Sequence, residues 1–134
     1  MHNHAAEAAR AAEAAGLQGR FWEMHDLLYQ NQLAWSKEAD VKPLFLKYAS
    51  EFGLDLGRFE KDYDGAEVRA RVTADQARGA SLGVTSTPTL FINGQPLPPA
   101  SLNENGLRTA ISAAIRGETL PTATTPTVTP LPQP

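Results

Sequence analysis

The sequence changes its period near Gly83, and this change limits the folds that the chain can adopt. The 134-residue chain reads as a succession of helical patterns up to that point. Thr89–Ile92 is then β-branched and aromatic, which favours a strand, and Asn93-Gly94 is a strong signal for a hairpin turn. Residues 95–99 predict a return strand that can only be an edge, because its prolines lack N–H donors. The predicted sheet is therefore a single hairpin, and most of the chain must fold as helices.

Helix propensity, periodicity and capping signals divide the rest of the chain. The first segment is Ala-rich, and alanine is the strongest helix former. Ser36 is a candidate N-cap, and Asp64 to Glu67 has the spacing of a capping box. Six helices are predicted. The first, second, fourth and sixth cover about 5–15, 21–28, 56–62 and 102–116. Ser36 opens the third, which restarts near Pro43 and ends at Gly53, and the capping box opens the fifth, which runs to about Leu82.

The apolar spacing within these helices predicts their buried faces. Trp22 and Trp35 are interpreted as packing residues, with a substrate groove as the alternative, and His25 is placed at the edge of the core. The predicted core is Phe21, Met24, Leu27 and Leu28 in the second helix, Leu44, Leu46, Tyr48 and Phe52 in the third, Phe59 in the fourth, Val68, Val72 and Leu82 in the fifth, and Leu107, Ile111 and Ile115 in the last.

Composition excludes several functions. The net charge is −3 and lysine and arginine form no stripe, which argues against a nucleic-acid partner. No apolar run approaches the ~18 residues of a membrane span, and Met1 is not followed by the apolar region of a signal peptide. The chain has no cysteine, so it can form no disulfide, thiolate nucleophile or cysteine-ligated metal site. We expect no catalytic residue, metal site or cofactor.

Four segments follow one another along the chain: His4–Ala15, Gly19–Leu28, Gly53-Leu54-Asp55 followed by Phe59, and Gly83–Gly94, which reads GVTSTPTLFING. With the order of elements, these segments resemble the later part of the DsbA-like branch of thioredoxin-fold disulfide oxidoreductases, in which the last segment reads GVxGTPTxFING. Members of that family begin with a strand, a Cys-x-x-Cys at a helix start and a second strand, all of which would lie before His4.

The resemblance implies an α/β thioredoxin-like fold that is incomplete, with a helical insert, a β-hairpin and a C-terminal helix. The incomplete domain is expected over residues 1–118, with a helical subdomain at about 4–83 and, at about 84–117, a loop that contains a cis proline, the hairpin and the last helix. Residues 119–134 are Pro/Thr-rich and are interpreted as a disordered linker or terminus; a proline-rich ligand and a glycosylated stalk are the alternatives.

The resemblance also implies a binding site. The Thr87–Pro88 bond would be cis and would face the family's Cys-x-x-Cys, so that the backbone at Thr87 pairs with an extended peptide or an unfolded protein. Ser86, Thr87 and Pro88 are therefore the predicted substrate-binding residues. The family further implies an extracytoplasmic location, in the periplasm or cell envelope.

Two functional hypotheses follow. In the first, the chain is a member or fragment of a DsbA-like thiol–disulfide oxidoreductase and is itself redox-inactive, because thiol exchange requires sulfur. In the second, it is a non-catalytic peptide-binding or structural module derived from that fold. A lone hairpin is marginally stable and has an unpaired edge, so we also expect a homo-oligomer or a domain-swapped dimer.

Overall fold

A computed structural model describes residues 4–120 of the chain. These residues form two compact units that divide between Leu82 and Gly83, and each unit is described by itself. The predicted Pro/Thr-rich tail lies outside the described residues from position 121 onward.

The first unit is built from helices. Five of its predicted helical segments are confirmed as elements, and a short additional helix, α3, lies between the second and third patterns. The helices are α1 (Ala5–Gly16), α2 (Phe21–Gln30), α3 (Gln32–Trp35), α4 (Lys42–Glu51), α5 (Leu56–Asp64) and α6 (Ala66–Ser81).

The alanine-rich α1 is the helix around which this unit packs. It contacts α2, α4, α5 and α6, and Ala11, Ala14 and Ala15 are fully buried. Alanine side chains bring helix backbones close together, which lets several helices share one core. Phe45 of α4 lies at the centre of that core with its ring 6.0 Å from the Trp35 ring. The sequence analysis missed Phe45, although it identified both of its neighbours in the sequence.

The predicted N-cap at Ser36 is wrong. Ser36 is instead the C-cap of α3, because the Trp35 indole N–H donates to the Leu28 carbonyl at 2.7 Å and buries the ring there. The next helix begins only after the Asp40 side chain accepts from the Lys42 N–H, with proline in its first turn. The predicted restart near Pro43 is therefore confirmed.

The predicted capping box is also wrong. Asp64 is the last residue of α5, which extends two residues beyond its predicted end. The N-cap of α6 is Gly65, and no side chain caps it. The Asp64 carboxylate accepts from the Lys42 ammonium group instead, so a tertiary contact wins over the local capping pattern.

The second unit contains a hairpin and one long helix. The hairpin comprises β1 (Phe91–Ile92) and β2 (Gln95–Pro96), paired antiparallel, and a 3-10 turn at Pro99–Ser101 leads into α7 (Glu104–Ile115). Both strands are shorter than predicted. Three of the five residues of the predicted return strand are prolines, which have no N–H to donate to the ladder. The small core of this unit consists of Leu97, Ala110, Ala113 and Leu120.

Three predicted core residues are exposed. Ile111 and Ile115 are 50% and 81% exposed, and Leu82 is 54% exposed. In α7 the buried residues are the small Ala110 and Ala113. The strands of the hairpin are only two residues long, so the hairpin covers only a narrow strip of the helix. The described residues are thus mostly helical with one small antiparallel sheet.

Candidate peptide-binding loop

The predicted site residues lie together in a loop that precedes β1. Ser86, Thr87 and Pro88 are all exposed, and the Thr87–Pro88 bond is cis. The Thr89 hydroxyl donates to the Ser86 carbonyl at 2.6 Å and closes the loop across the proline. We call residues 86–89 the proline loop.

The hairpin turn fixes the direction of each backbone group in β1. Asn93 and Gly94 both have positive φ, of 51° and 78°, as a two-residue hairpin of type I′ requires. Ile92 pairs with Gln95 across this turn, and the Leu97 N–H donates to the Leu90 carbonyl at 2.8 Å. Because hydrogen-bonded pairs alternate along an antiparallel ladder, Leu90 and Ile92 direct their backbone groups toward β2.

The residues between them direct their backbone groups the other way. The N–H and C=O of Phe91 point away from β2, toward an edge on which the described residues place no strand. Pro96 lies opposite Phe91, at the position where the ladder needs no N–H, so proline is tolerated there. The proline loop leads directly into this open edge.

The chemistry of the loop is neutral. No aspartate, glutamate, lysine, arginine or histidine occurs from Gly79 through Asn103. The side chains at the loop offer hydroxyl groups and apolar surface, with Leu90 40% exposed beside them. The loop therefore suits recognition by backbone hydrogen bonds and apolar contact rather than acid–base catalysis.

Among residues 4–120, no group of three or more histidine, aspartate or glutamate side chains is arranged to hold a metal ion. No helix in that part of the chain is long and apolar enough to cross a membrane.

The two tryptophans differ in environment. Trp35 is 5% exposed, as predicted for a packing residue, whereas Trp22 is 68% exposed, and its predicted packing role is wrong. His25 contacts the rings of Phe21, Trp22 and Tyr29 on the same helix.

Sequence reasoning missed the role of Thr89 in the loop, and it did not single out Phe91 within the unpaired edge that it predicted for Leu90, Phe91 and Ile92. Thr89 closes the loop through its hydroxyl, and Phe91 supplies the open-edge backbone groups. Counting back in steps of two from the Asn93-Gly94 turn would have identified Phe91, because alternate residues of a strand face the same edge.

The family comparison covers most of the chain. Residues 1–112 match the family described as DSBA-like thioredoxin domain. No solved structure matches the chain.

Several curated proteins are similar to the chain, and each carries the name of an Na(+)/H(+) antiporter. NhaA 1 of Salinispora arenicola is 40% identical over 122 residues, which cover 90% of this chain and 18% of the antiporter. NhaA of Herminiimonas arsenicoxydans is 37% identical over 116 residues, 87% of this chain and 18% of that protein. NhaA 1 of Mycolicibacterium vanbaalenii is 41% identical over 97 residues, which cover 69% of this chain and 15% of that protein. The chain thus spans less than a fifth of the length of these relatives.

Proposed function

Because the chain belongs to the family of DSBA-like thioredoxin domains, we propose that it is part of a thiol–disulfide oxidoreductase domain. In this proposal it provides the peptide-binding loop and the helical unit, and it performs no thiol exchange of its own. The substrate is an extended peptide or an unfolded protein segment.

The open edge of β1 beside the proline loop supports this proposal most directly. An extended peptide can add to such an edge as a further strand, with main-chain hydrogen bonds supplying the affinity. Phe91 offers one N–H and one C=O there, and the exposed residues Ser86 to Pro88 lie three to five positions earlier in the chain. The lack of charged residues from Gly79 through Asn103 predicts that apolar, uncharged peptides bind better than highly charged ones.

The expected lack of thiol–disulfide exchange follows from the amino-acid composition. Thiol–disulfide exchange proceeds by attack of a thiolate on a disulfide sulfur, and no other protein side chain can replace that nucleophile. The chain contains no cysteine, so the loop can hold a peptide but cannot reduce or oxidise it.

An insulin-reduction assay with glutathione tests the redox part of the proposal. We expect the rate with the full 134-residue chain to equal the rate with glutathione alone. A rate that rises in proportion to the concentration of purified chain would contradict the proposal.

Peptide binding is tested by fluorescence anisotropy with a labelled, extended, uncharged peptide. Phe91→Pro removes one N–H from the open edge, and we expect it to weaken binding about tenfold. Pro96→Ala is the matched control, since it changes the opposite strand and leaves the open edge intact. Equal effects of the two substitutions would place the peptide elsewhere.

A second candidate function is a non-catalytic binding or structural module. The names of the relatives favour it, because exchange of sodium ions for protons needs no thiol chemistry. The coding sequence upstream of Met1 separates the two candidates. An in-frame strand, Cys-x-x-Cys helix and second strand would support the oxidoreductase domain, and their absence would support the binding module.

A further inference from the structure

An exposed row of aromatic rings runs along α2. Trp22, His25 and Tyr29 lie within about 60° of one another around the helix, given 100° per residue. The His25 ring lies 5.3 Å from that of Trp22 and 4.8 Å from that of Tyr29. Trp22 and Tyr29 are 68% and 70% exposed, respectively. We call these three residues the aromatic ridge.

The ridge is too large to treat as scattered apolar exposure. An aromatic side chain contributes about 150–250 Å² when buried, so these two rings leave roughly 250–300 Å² of surface uncovered. Leu33, on the following helix α3, is also 79% exposed. A contiguous apolar patch of this size is comparable to the largest patch on a typical monomer, and such patches are often functional.

The ridge is self-complementary in sequence. Reading inward from its two ends, an aromatic ring at Trp22 corresponds to one at Tyr29, and His25 corresponds to Asp26. An antiparallel pair of α2 helices related by a two-fold axis between positions 25 and 26 therefore brings Trp22 against Tyr29 of the second copy. It also brings His25 against the partner's Asp26, a donor against a carboxylate. Two-fold interfaces require this kind of self-complementarity.

We propose that a second copy of this chain docks antiparallel on the aromatic ridge and forms a two-fold dimer. The proposal is independent of peptide binding at the proline loop. Within one chain, His25 Nδ1 and Asp26 Oδ1 are 3.0 Å apart. In the dimer, this contact within each chain is replaced by two contacts between chains, each from His25 of one copy to Asp26 of the other.

The ridge is a better dimer surface than the open edge of β1. Because β1 is two residues long and its backbone groups alternate in direction, edge-to-edge pairing of two copies would engage only Phe91 of each. The ridge combines aromatic anchors with a central polar pair, the composition typical of interface hot spots. Two ridges together bury roughly 500–600 Å², below the roughly 1,000 Å² of a stable interface, so we expect a weak dimer with a dissociation constant in the micromolar range or above.

Sedimentation velocity of the full chain, from about 1 to 500 µM, measures the dimer by mass action. We expect a monomer–dimer equilibrium, and we expect Trp22→Ala and Tyr29→Ala each to raise the dissociation constant by about tenfold or more. Leu56→Ala is the control, since Leu56 is a partly exposed leucine on another helix. Trp22 and Tyr29 are largely exposed and Leu56 is partly exposed, and circular dichroism verifies that each variant is folded.

An exchange experiment tests the two-fold geometry. His25→Asp alone places carboxylates against carboxylates and should weaken the dimer about tenfold. His25→Asp combined with Asp26→His restores a histidine opposite an aspartate across the axis and should recover most of the affinity. A general sticky patch or a lipid-binding face would not distinguish the single from the double variant.

Three results would overturn the proposal. One is a monomer at every concentration. Another is a dimer that Leu56→Ala weakens as much as Trp22→Ala does. The third is a dimer that the double exchange at positions 25 and 26 fails to recover while His25→Asp alone disrupts it.

Discussion

The Lys42 ammonium group lies 2.7 Å from Oδ2 of Asp64, which joins the first residue of α4 to the last residue of α5. The same ammonium group is 2.7 Å from Oε1 of Glu60. These carboxylates raise the pKa of Lys42, with the Asp64 hydrogen bond as the larger cause. The contact explains why Asp64 closes one helix instead of capping the next.

This contact predicts a pH-dependent effect of Asp64→Asn. The hydrogen bond from Lys42 lowers the pKa of Asp64 below its ordinary value of 3.8. Its stabilising contribution is therefore present above pH 3.8 and is lost as pH falls through the lower folded-state value. We expect Asp64→Asn to lower the melting temperature slightly at neutral pH and to match the wild type near pH 2. Thermal melts at several pH values measure this, and a difference that is independent of pH would contradict it.

His4 predicts the opposite direction of pH dependence. Its Nδ1 is 3.1 Å from Glu7 Oε1, and its Nε2 is 2.9 Å from the Glu38 carbonyl, which ties the start of α1 to the segment before α4. The Glu7 hydrogen bond is the main reason that the pKa of His4 is raised above 6.5. The stabilisation is complete below pH 6.5 and is lost as pH rises through the folded-state value. Urea denaturation should show His4→Asn to be less stable than wild type at about pH 5, with the gap shrinking by about pH 8.5; a gap that widens with rising pH would refute the assignment.

Truncation of Phe45 tests the core of the helical unit. Phe45 is fully buried and its ring lies 6.0 to 6.4 Å from those of Trp35, Tyr48 and Tyr63. We expect Phe45→Ala to lower the free energy of unfolding by about 3–5 kcal/mol. Lys47→Ala, an exposed change in the same helix, should stay within about 0.5 kcal/mol of wild type. Denaturant titration compares them, and similar effects would show that Phe45 is not central to the core.

Two glycines in helical first turns should respond oppositely to alanine. A Cβ at Gly106 would lie 2.5 Å from the Ser101 carbonyl oxygen, so backbone must move, and Gly106→Ala should cost about 1–3 kcal/mol. A Cβ at Gly57 would meet only the Asp55 carboxylate at 3.5 Å. Gly57→Ala should stabilise by up to about 1 kcal/mol, because alanine favours the helix. Denaturant titration of both variants measures the sign, and destabilisation by both would show that Gly57 is also constrained.

Local patterns predicted the elements better than their boundaries. The spacing of Met24 and Leu28 correctly identified a buried face, because periodicity within one helix is a local property. The caps at Ser36 and Asp64 failed for a different reason. Burial of Trp35 and the ion pair with Lys42 decide where those helices end, and both are contacts between elements.

Burial of large apolar residues was the weaker prediction. Ile111 and Ile115 have helical spacing, yet Ala110 and Ala113 face the narrow hairpin instead. Trp22 was predicted to pack but is exposed. The prediction failed because periodicity shows that a helix face is apolar without showing which element, if any, covers it. The proline loop was predicted from its motif, whereas the open edge at Phe91 depends on strand register.

A ¹⁵N–¹H NMR titration with an unlabelled, extended, uncharged peptide is the sharpest test of the claim that this cysteine-free DSBA-like domain binds peptides. We predict that the amide signals of Ser86, Thr87, Thr89 and Phe91 shift in a saturable manner, while the buried amides of α1 do not. Unchanged spectra at millimolar peptide, or shifts confined to the helical unit, would contradict the claim.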